Sequence, residues 1–169
     1  MDALDNLLSR RSTRRFTPEP IAAQEVETLL RAGMAAPSAG NSQPWHFITI
    51  TDRAVLNQLP DIQPHCRQML LAPLAILVCA DVTVEKHEGF WVQDCAVAAQ
   101  NILLAAHAQG LGGSWCGLYP RTPWCEGVAR LLNLPHHVQP LCLLAIGHPD
   151  EDKTPSERFR RERIHDERW

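Results

Sequence analysis

"WVQDCAVAAQNILLAAHAQ", residues 91–109, is the stretch on which the fold turns. It is the longest helical pattern in the chain, it is nearly apolar all round, and Gly110 stands where a left-handed residue would end it. A helix without a polar face needs cover on every side, from the core of its own chain or from a partner subunit. The segments around it supply the other half of a core. "APLAILVCAD" (72–81) and "QPLCLLAIGHP" (139–149) are continuous apolar runs of strand length, the signature of strands covered on both faces, and "WHFITI" (45–50) reads as a third strand. Residues 2–10 predict a short helix. "PIAAQEVETLLRAGMAAP" (20–37) predicts a second, with Ile21, Val26, Leu29 and Leu30 on one face and Gly33 and Pro37 closing it. "DRAVLNQL" (52–59) reads as a short surface helix and "WCEGVARLLNL" (124–134) as another, while the small residues of "LGGSWCGLYP" (111–120) read as a loop. The pattern is an α+β or α/β sandwich with helices against a central sheet.

A chain of 169 residues is about one domain's worth, long enough to hide roughly 70% of its unfolded surface, and no repeat or low-complexity linker divides it. The expectation is one domain over residues 1–169. A formal net charge of -3 with 45% hydrophobic residues describes an ordinary soluble protein, with no basic stripe for nucleic acid. The first sixteen residues have no signal-peptide core and no apolar run reaches membrane-spanning length, so the chain is expected to be cytoplasmic. Cys66, Cys79, Cys95, Cys116, Cys125 and Cys142 are scattered, without the spacing of a zinc knuckle or a disulfide framework, and no metal is expected.

Nucleotide and hydrolase motifs fail on inspection. Trp115 stands where a Gly-x-Gly-x-x-Gly counted from Gly110 needs its last glycine, and no Gly-x-Ser-x-Gly elbow occurs. No nucleophile or acid/base pair stands out. What does stand out is arginine. "SRRSTRRF" (9–16) and "SERFRRER" (156–163) lie near the two ends of the chain, and each is either a solvated charged face or a place where guanidinium groups fork onto a phosphate. "APSAGNSQPWHF" (36–47) adds a small-residue loop with hydrogen-bonding side chains in front of a strand.

Taken in order, "RRSTRRF", "APSAGNSQPWHF", "AHAQGLGGSWCG" and "AIGHPDED" with the Arg-rich tail resemble the nitroreductase family of FMN-dependent oxidoreductases, over nearly the whole chain. The resemblance implies a sandwich with a mostly antiparallel central sheet, an intertwined homodimer, and FMN at the subunit interface. It further implies NADH or NADPH as electron donor and a nitroaromatic, quinone or similar small molecule as acceptor. By the same resemblance, Arg10, Arg11 and Ser12 hold the phosphate and ribityl chain, Arg158 returns from the tail to the phosphate, and Arg14 lies near the N1 and O2 edge of the flavin. Pro37, Ser38 and Asn41 approach from the other subunit, and Trp45 packs under the sheet. Gln68 falls near a ring-contacting position, and Trp115, Cys116, Gly117 and Leu118 present backbone amides to N5 and O4. Because a flavin carries the redox chemistry, the protein needs no dedicated acid or nucleophile. Relatives with other flavin outcomes, dehalogenation or flavin fragmentation, and a non-catalytic flavin-binding protein are the alternatives; turnover of NAD(P)H discriminates the last.

Overall fold

The two continuous apolar runs lie side by side. Strands β2 (Leu74–Asp81) and β4 (Val138–Gly147) pair antiparallel at the centre of a four-stranded sheet, flanked by β1 (Trp45–Ile50) on β2 and β3 (Gly112–Gly117) on β4. The structure, a computed structural model, describes residues 2–169, and Met1 lies outside it. Helices α2 (Ala23–Met34) and α4 (Trp91–Ala108) cover one face of the sheet, and α3 (Arg53–Ile62) and α5 (Thr122–Leu131) cover the other. A short α1 (Ala3–Ser9) lies along the end of α4. The result is an α+β sandwich with an antiparallel sheet, as the resemblance implies.

Alternation within the runs explains why they carry no polar residues. Leu74, Ile76 and Val78 enter the core beneath α4, while Ala75, Leu77 and Cys79 enter the core beneath α3. Both sets are buried, so every position must be apolar. Each such leucine or isoleucine contributes about 1.5–3 kcal/mol by leaving water. The register slips between Val78 and Cys79, opposite Pro140. Proline has no N–H to give a central strand, and the bulge absorbs the mismatch. The Leu141 carbonyl beside it accepts from the N–H groups of Leu118 and Tyr119 at 3.0 and 3.1 Å, which anchors the chain leaving β3.

The 91–109 helix is present over Trp91–Ala108 and ends at Gly110, whose φ of 78° lets Leu111 N–H reach back to the Ala106 carbonyl at 2.9 Å. Two expectations are corrected. Gly33 does not close the second helix: α2 continues to Met34, and Gly33 is buried where a Cβ would meet Ile102 and Phe47 at 3.0 Å. It is a packing glycine, there so that α2 can approach α4 and β1. Likewise "GGSWCG" is a strand, not a loop. Glycine is poor in strands by propensity, but here close approach decides: a Cβ on Gly112 would lie 2.7 Å from Thr13 Cβ, and one on Gly113 would lie 2.8 Å from Leu103 Cδ2. Gly112→Ala is therefore expected to destabilise the protein by about 1–3 kcal/mol, read by urea denaturation, and to loosen the segment after α1.

Candidate functional site

The edge strand β3 organises the arginines. Ser12 forms a single parallel bridge with Gly113, and Thr13 N–H donates to the Gly113 carbonyl at 3.0 Å, so the chain leaving α1 runs along the open edge of the sheet. On its other side comes the segment that follows β4. Thr17 N–H donates to the His148 carbonyl and Asp150 N–H to the Arg15 carbonyl, each at 3.0 Å, and Glu151 Oε1 accepts the Arg14 amide at 2.7 Å. "RRSTRRF" and "GHPDED", at opposite ends of the sequence, are thus one piece of structure. Sequence reasoning missed Glu151; the signal was an acidic run directly after a strand.

The Arg14 amide, with Lys153 beside it, holds the Glu151 carboxyl below the usual glutamate range. A depressed folded-state pKa means that this contribution is present above the unfolded glutamate value and is lost as pH falls through the lower folded one. Protection of the Arg14 and Arg15 amides against exchange, measured relative to their intrinsic rates, should therefore fall on acidification past that point, and Glu151→Ala, which removes the acceptor, should abolish it at every pH in that range. Full protection in Glu151→Ala would show that the carboxylate is not what orders this segment.

Arg10 and Arg158 line one cavity of about 640 Å³, together with Leu7, Gln100 and Ser156. Arg10 is held below the usual arginine value, first by burial, then by Arg158 and Arg11. Among the described residues, neither Arg10 nor Arg158 has a carboxylate within salt-bridge distance. Glu157 lines the same cavity, but its Oε1 accepts the Phe159 amide at 2.6 Å, and guanidinium groups crowded together without an ion-paired acid fit an anion. Arg11 is engaged differently: it donates to the carbonyls of Leu8, Arg10 and Ser156 at 2.8–3.0 Å, tying α1 to the tail that carries Arg158.

A second, shallower pocket of about 430 Å³ lies between Arg14, Arg67, Gln68, Leu70 and Leu71. Gln68 is buried, and its amide donates to Ser114 Oγ at 3.2 Å and to the Cys116 thiol, so it braces β3 from beneath. Along β3, Ser114, Cys116 and the following Leu118 are buried, Gly117 is half-buried, and Trp115 is exposed. Burial pushes the Cys116 thiol up to about 12, against a smaller opposing effect of Arg14. The fold does bring a cation and Cys66 near it, yet desolvation wins and the thiol stays neutral and inert at physiological pH. Trp45 is buried in the core beneath β2, as expected.

Loop 37–43 lies elsewhere. Its 3-10 turn, Ala39–Asn41, and the residues around it place Gly40, Asn41 and Gln43 at φ of 57°, 55° and 49°. Ser38 Oγ accepts from Gln43 N–H at 2.9 Å, and Asn41 Oδ1 accepts from Gln43 Nε2 at 2.8 Å. The loop meets the start of α4, where Asp94 accepts the Ala39 amide, whereas the arginine cluster meets its end, where His107 contacts Ser9. Thirteen residues of α4 separate Asp94 from His107, about 20 Å along the axis. Within one chain the structure does not bring Ser38 and Asn41 to the arginines.

Fold and site together define an α+β protein that offers a pocket of arginines free of ion pairs beside the open edge of a glycine-rich strand. Comparison with known proteins gives the family. The chain matches the Nitroreductase family profile over residues 7–91 and 69–148, and it belongs to the nitroreductase family. It is 42% identical over 169 residues to a protein of Methanothermobacter thermautotrophicus named "Putative NADH dehydrogenase/NAD(P)H nitroreductase", covering 100% of this chain and 88% of that one. A crystal structure under the same name from Parabacteroides distasonis is 37% identical with a TM-score of 0.95, covering 98% of each chain. An FMN-dependent nitroreductase from Clostridium difficile is 26% identical with a TM-score of 0.91, covering 98% of this chain and 99% of its own.

Proposed function

We propose that this chain is a cytoplasmic FMN-dependent oxidoreductase, one domain over residues 1–169, that draws electrons from NADH or NADPH and works as a homodimer. The observation that carries the reading is the pairing of Arg10 and Arg158 in one cavity with neither in an ion pair, the one acid in its lining, Glu157, being turned to the Phe159 amide. A monophosphate answers that charge, and the ordered segment Ser12–Thr13 beside it supplies a hydroxyl and the way onto the β3 edge. The names of the relatives, NAD(P)H nitroreductase and FMN-dependent nitroreductase, supply the cofactor class.

FMN held here would supply the redox chemistry, carrying two electrons as hydride from the nicotinamide to an acceptor such as a nitroaromatic or quinone in alternating half-reactions. The chain's own residues position and tune. Arg10, Ser12 and Arg158 hold the phosphate, with Arg11 fastening the tail so that Arg158 stays in reach. The edge-facing backbone of Trp115–Gly117 is assigned to the ring, whereas the Leu118 amide, expected to join them, is spent on the Leu141 carbonyl at 3.0 Å; Gln68 keeps the strand in place. Arg14, exposed beside the second pocket, is assigned to the ring edge that gains negative charge on reduction, which a fixed cation stabilises.

Association supplies the remaining part. The outer face of α4 carries Val97, 39% exposed, and it continues onto Leu4, Leu7 and Leu8 of α1, all exposed. A monomer rarely leaves so many large apolar groups together in water. Two copies packed antiparallel along α4 about a two-fold axis set the start of one helix against the end of the other. Pro37, Ser38 and Asn41 of one chain then reach the arginine pocket of its partner. The test is direct: protein heated to denaturation should release FMN rather than FAD, and apo-protein should take FMN up again. Protein that neither carries nor binds FMN would remove the reading.

A further inference from the structure

The polar residue of α4 that its apolar surroundings explain least is Asp94. It is only 5% exposed, its Oδ1 accepts the Ala39 amide at 2.9 Å across 55 positions of sequence, and its Oδ2 is buried with no partner among the described residues. A buried carboxylate opposes folding unless it is needed, and a favourable interaction with the start of a helix does not require burial, since an exposed aspartate gives the same. Its one partner lies in loop 37–43. That loop does not cap its own turn: Ser38, the residue before Ala39–Asn41, makes no side-chain bond to the turn's amides and accepts the Gln43 amide instead. Asp94 takes over the capping from another element.

We propose that Asp94 is a positioning residue for the cofactor site: it caps the turn at Ala39 and so holds Ser38 and Asn41 in the shape that reaches the flavin pocket of a second copy of the chain. Two further contacts from the same stretch complete the clamp. Lys86 Nζ donates to the Gly40 carbonyl at 2.6 Å, and Lys86 N–H donates to Ser42 Oγ at 3.3 Å. The clamp is needed because Asn41 and Gln43 hold left-handed backbone, which side-chain-bearing residues keep only when their surroundings impose it. With its acceptors so occupied, the loop keeps the Ser38 hydroxyl proton and the Asn41 Nδ2 hydrogens to donate outward.

The inference rests on the flavin reading above, and its test separates the two. Full-length Asp94→Ala and Asp94→Asn are prepared with wild type, and FMN affinity is measured by flavin fluorescence beside amide exchange of residues 38–43. Asp94→Ala should weaken FMN binding about 10- to 100-fold and raise loop exchange, while exchange in residues 74–81 and 138–147 and the reduction rate of saturated protein stay near wild type. Asp94→Asn, which keeps an oxygen for the Ala39 amide, should restore most of both. Wild-type affinity and unchanged loop exchange in Asp94→Ala would overturn the proposal, as would exchange rising equally through the sheet, or Asp94→Asn failing as badly as Asp94→Ala. If wild type itself binds no FMN, the flavin reading has failed, and a loop released in Asp94→Ala but held in Asp94→Asn would still support the capping alone.

Discussion

Arg158→Ala and Arg10→Ala are each expected to weaken FMN binding by about 1.5–3 kcal/mol, the worth of a hydrogen bond to a charged group, while leaving the reactivity of saturated protein close to wild type. Arg14→Ala is expected to differ in kind. Its guanidinium lines the shallower pocket away from the Arg10–Arg158 pair, so its loss should lower the flavin's reduction potential and slow reduction by NAD(P)H even with every site filled. Stopped-flow reduction at saturating FMN, with a redox titration of each variant, separates the two roles. Normal potentials and rates in Arg14→Ala would reduce it to a surface charge, and a rate defect in Arg158→Ala that persists at saturation would show that the tail does more than hold phosphate.

The second large effect is on association. Val97→Arg places a charge in the middle of the exposed α4 face, which the proposed partner buries. A buried charge in such an interface should weaken the dimer about 100-fold or more, visible by sedimentation at micromolar concentration. FMN affinity should fall with it, because in the proposed dimer loop 37–43 reaches the arginine pocket across the two-fold, the α4 residues that meet each, Asp94 and His107, lying about 20 Å apart along one helix. A Val97→Arg protein that sediments as a monomer yet binds FMN like wild type would place the whole pocket within one subunit.

What could be read from sequence, and what could not, divides along physical lines. Residues 74–81 and 139–147 were legible because a strand buried on both faces has no room for a polar residue, so its composition alone reports its place. The helix at 91–109 was legible for the same reason. β3 was not: Gly112, Gly113 and Gly117 carry the turn signal of small residues, and the reason for the first two, Thr13 and Leu103 pressing on the strand, lies far away in sequence. The arginines announced an anion site, but nothing local distinguished Arg11, whose Nη groups go to the carbonyls of Leu8, Arg10 and Ser156, from Arg10, left without an ion pair. Asp94 was hidden in plain view. A lone carboxylate in an apolar helix was the signal, and only the Ala39 amide, brought to it by the fold, gives it a task.

The measurement that tests the central claim most directly is anaerobic mixing of FMN-loaded protein with NADH and, separately, NADPH while the visible absorbance of oxidised flavin is followed. The account predicts that at least one donor bleaches the flavin at a rate that depends on donor concentration, and that a quinone or nitroaromatic then restores the colour. Flavin that stays oxidised with both donors, in protein shown to bind FMN, would contradict it and leave a flavin-binding protein without this chemistry.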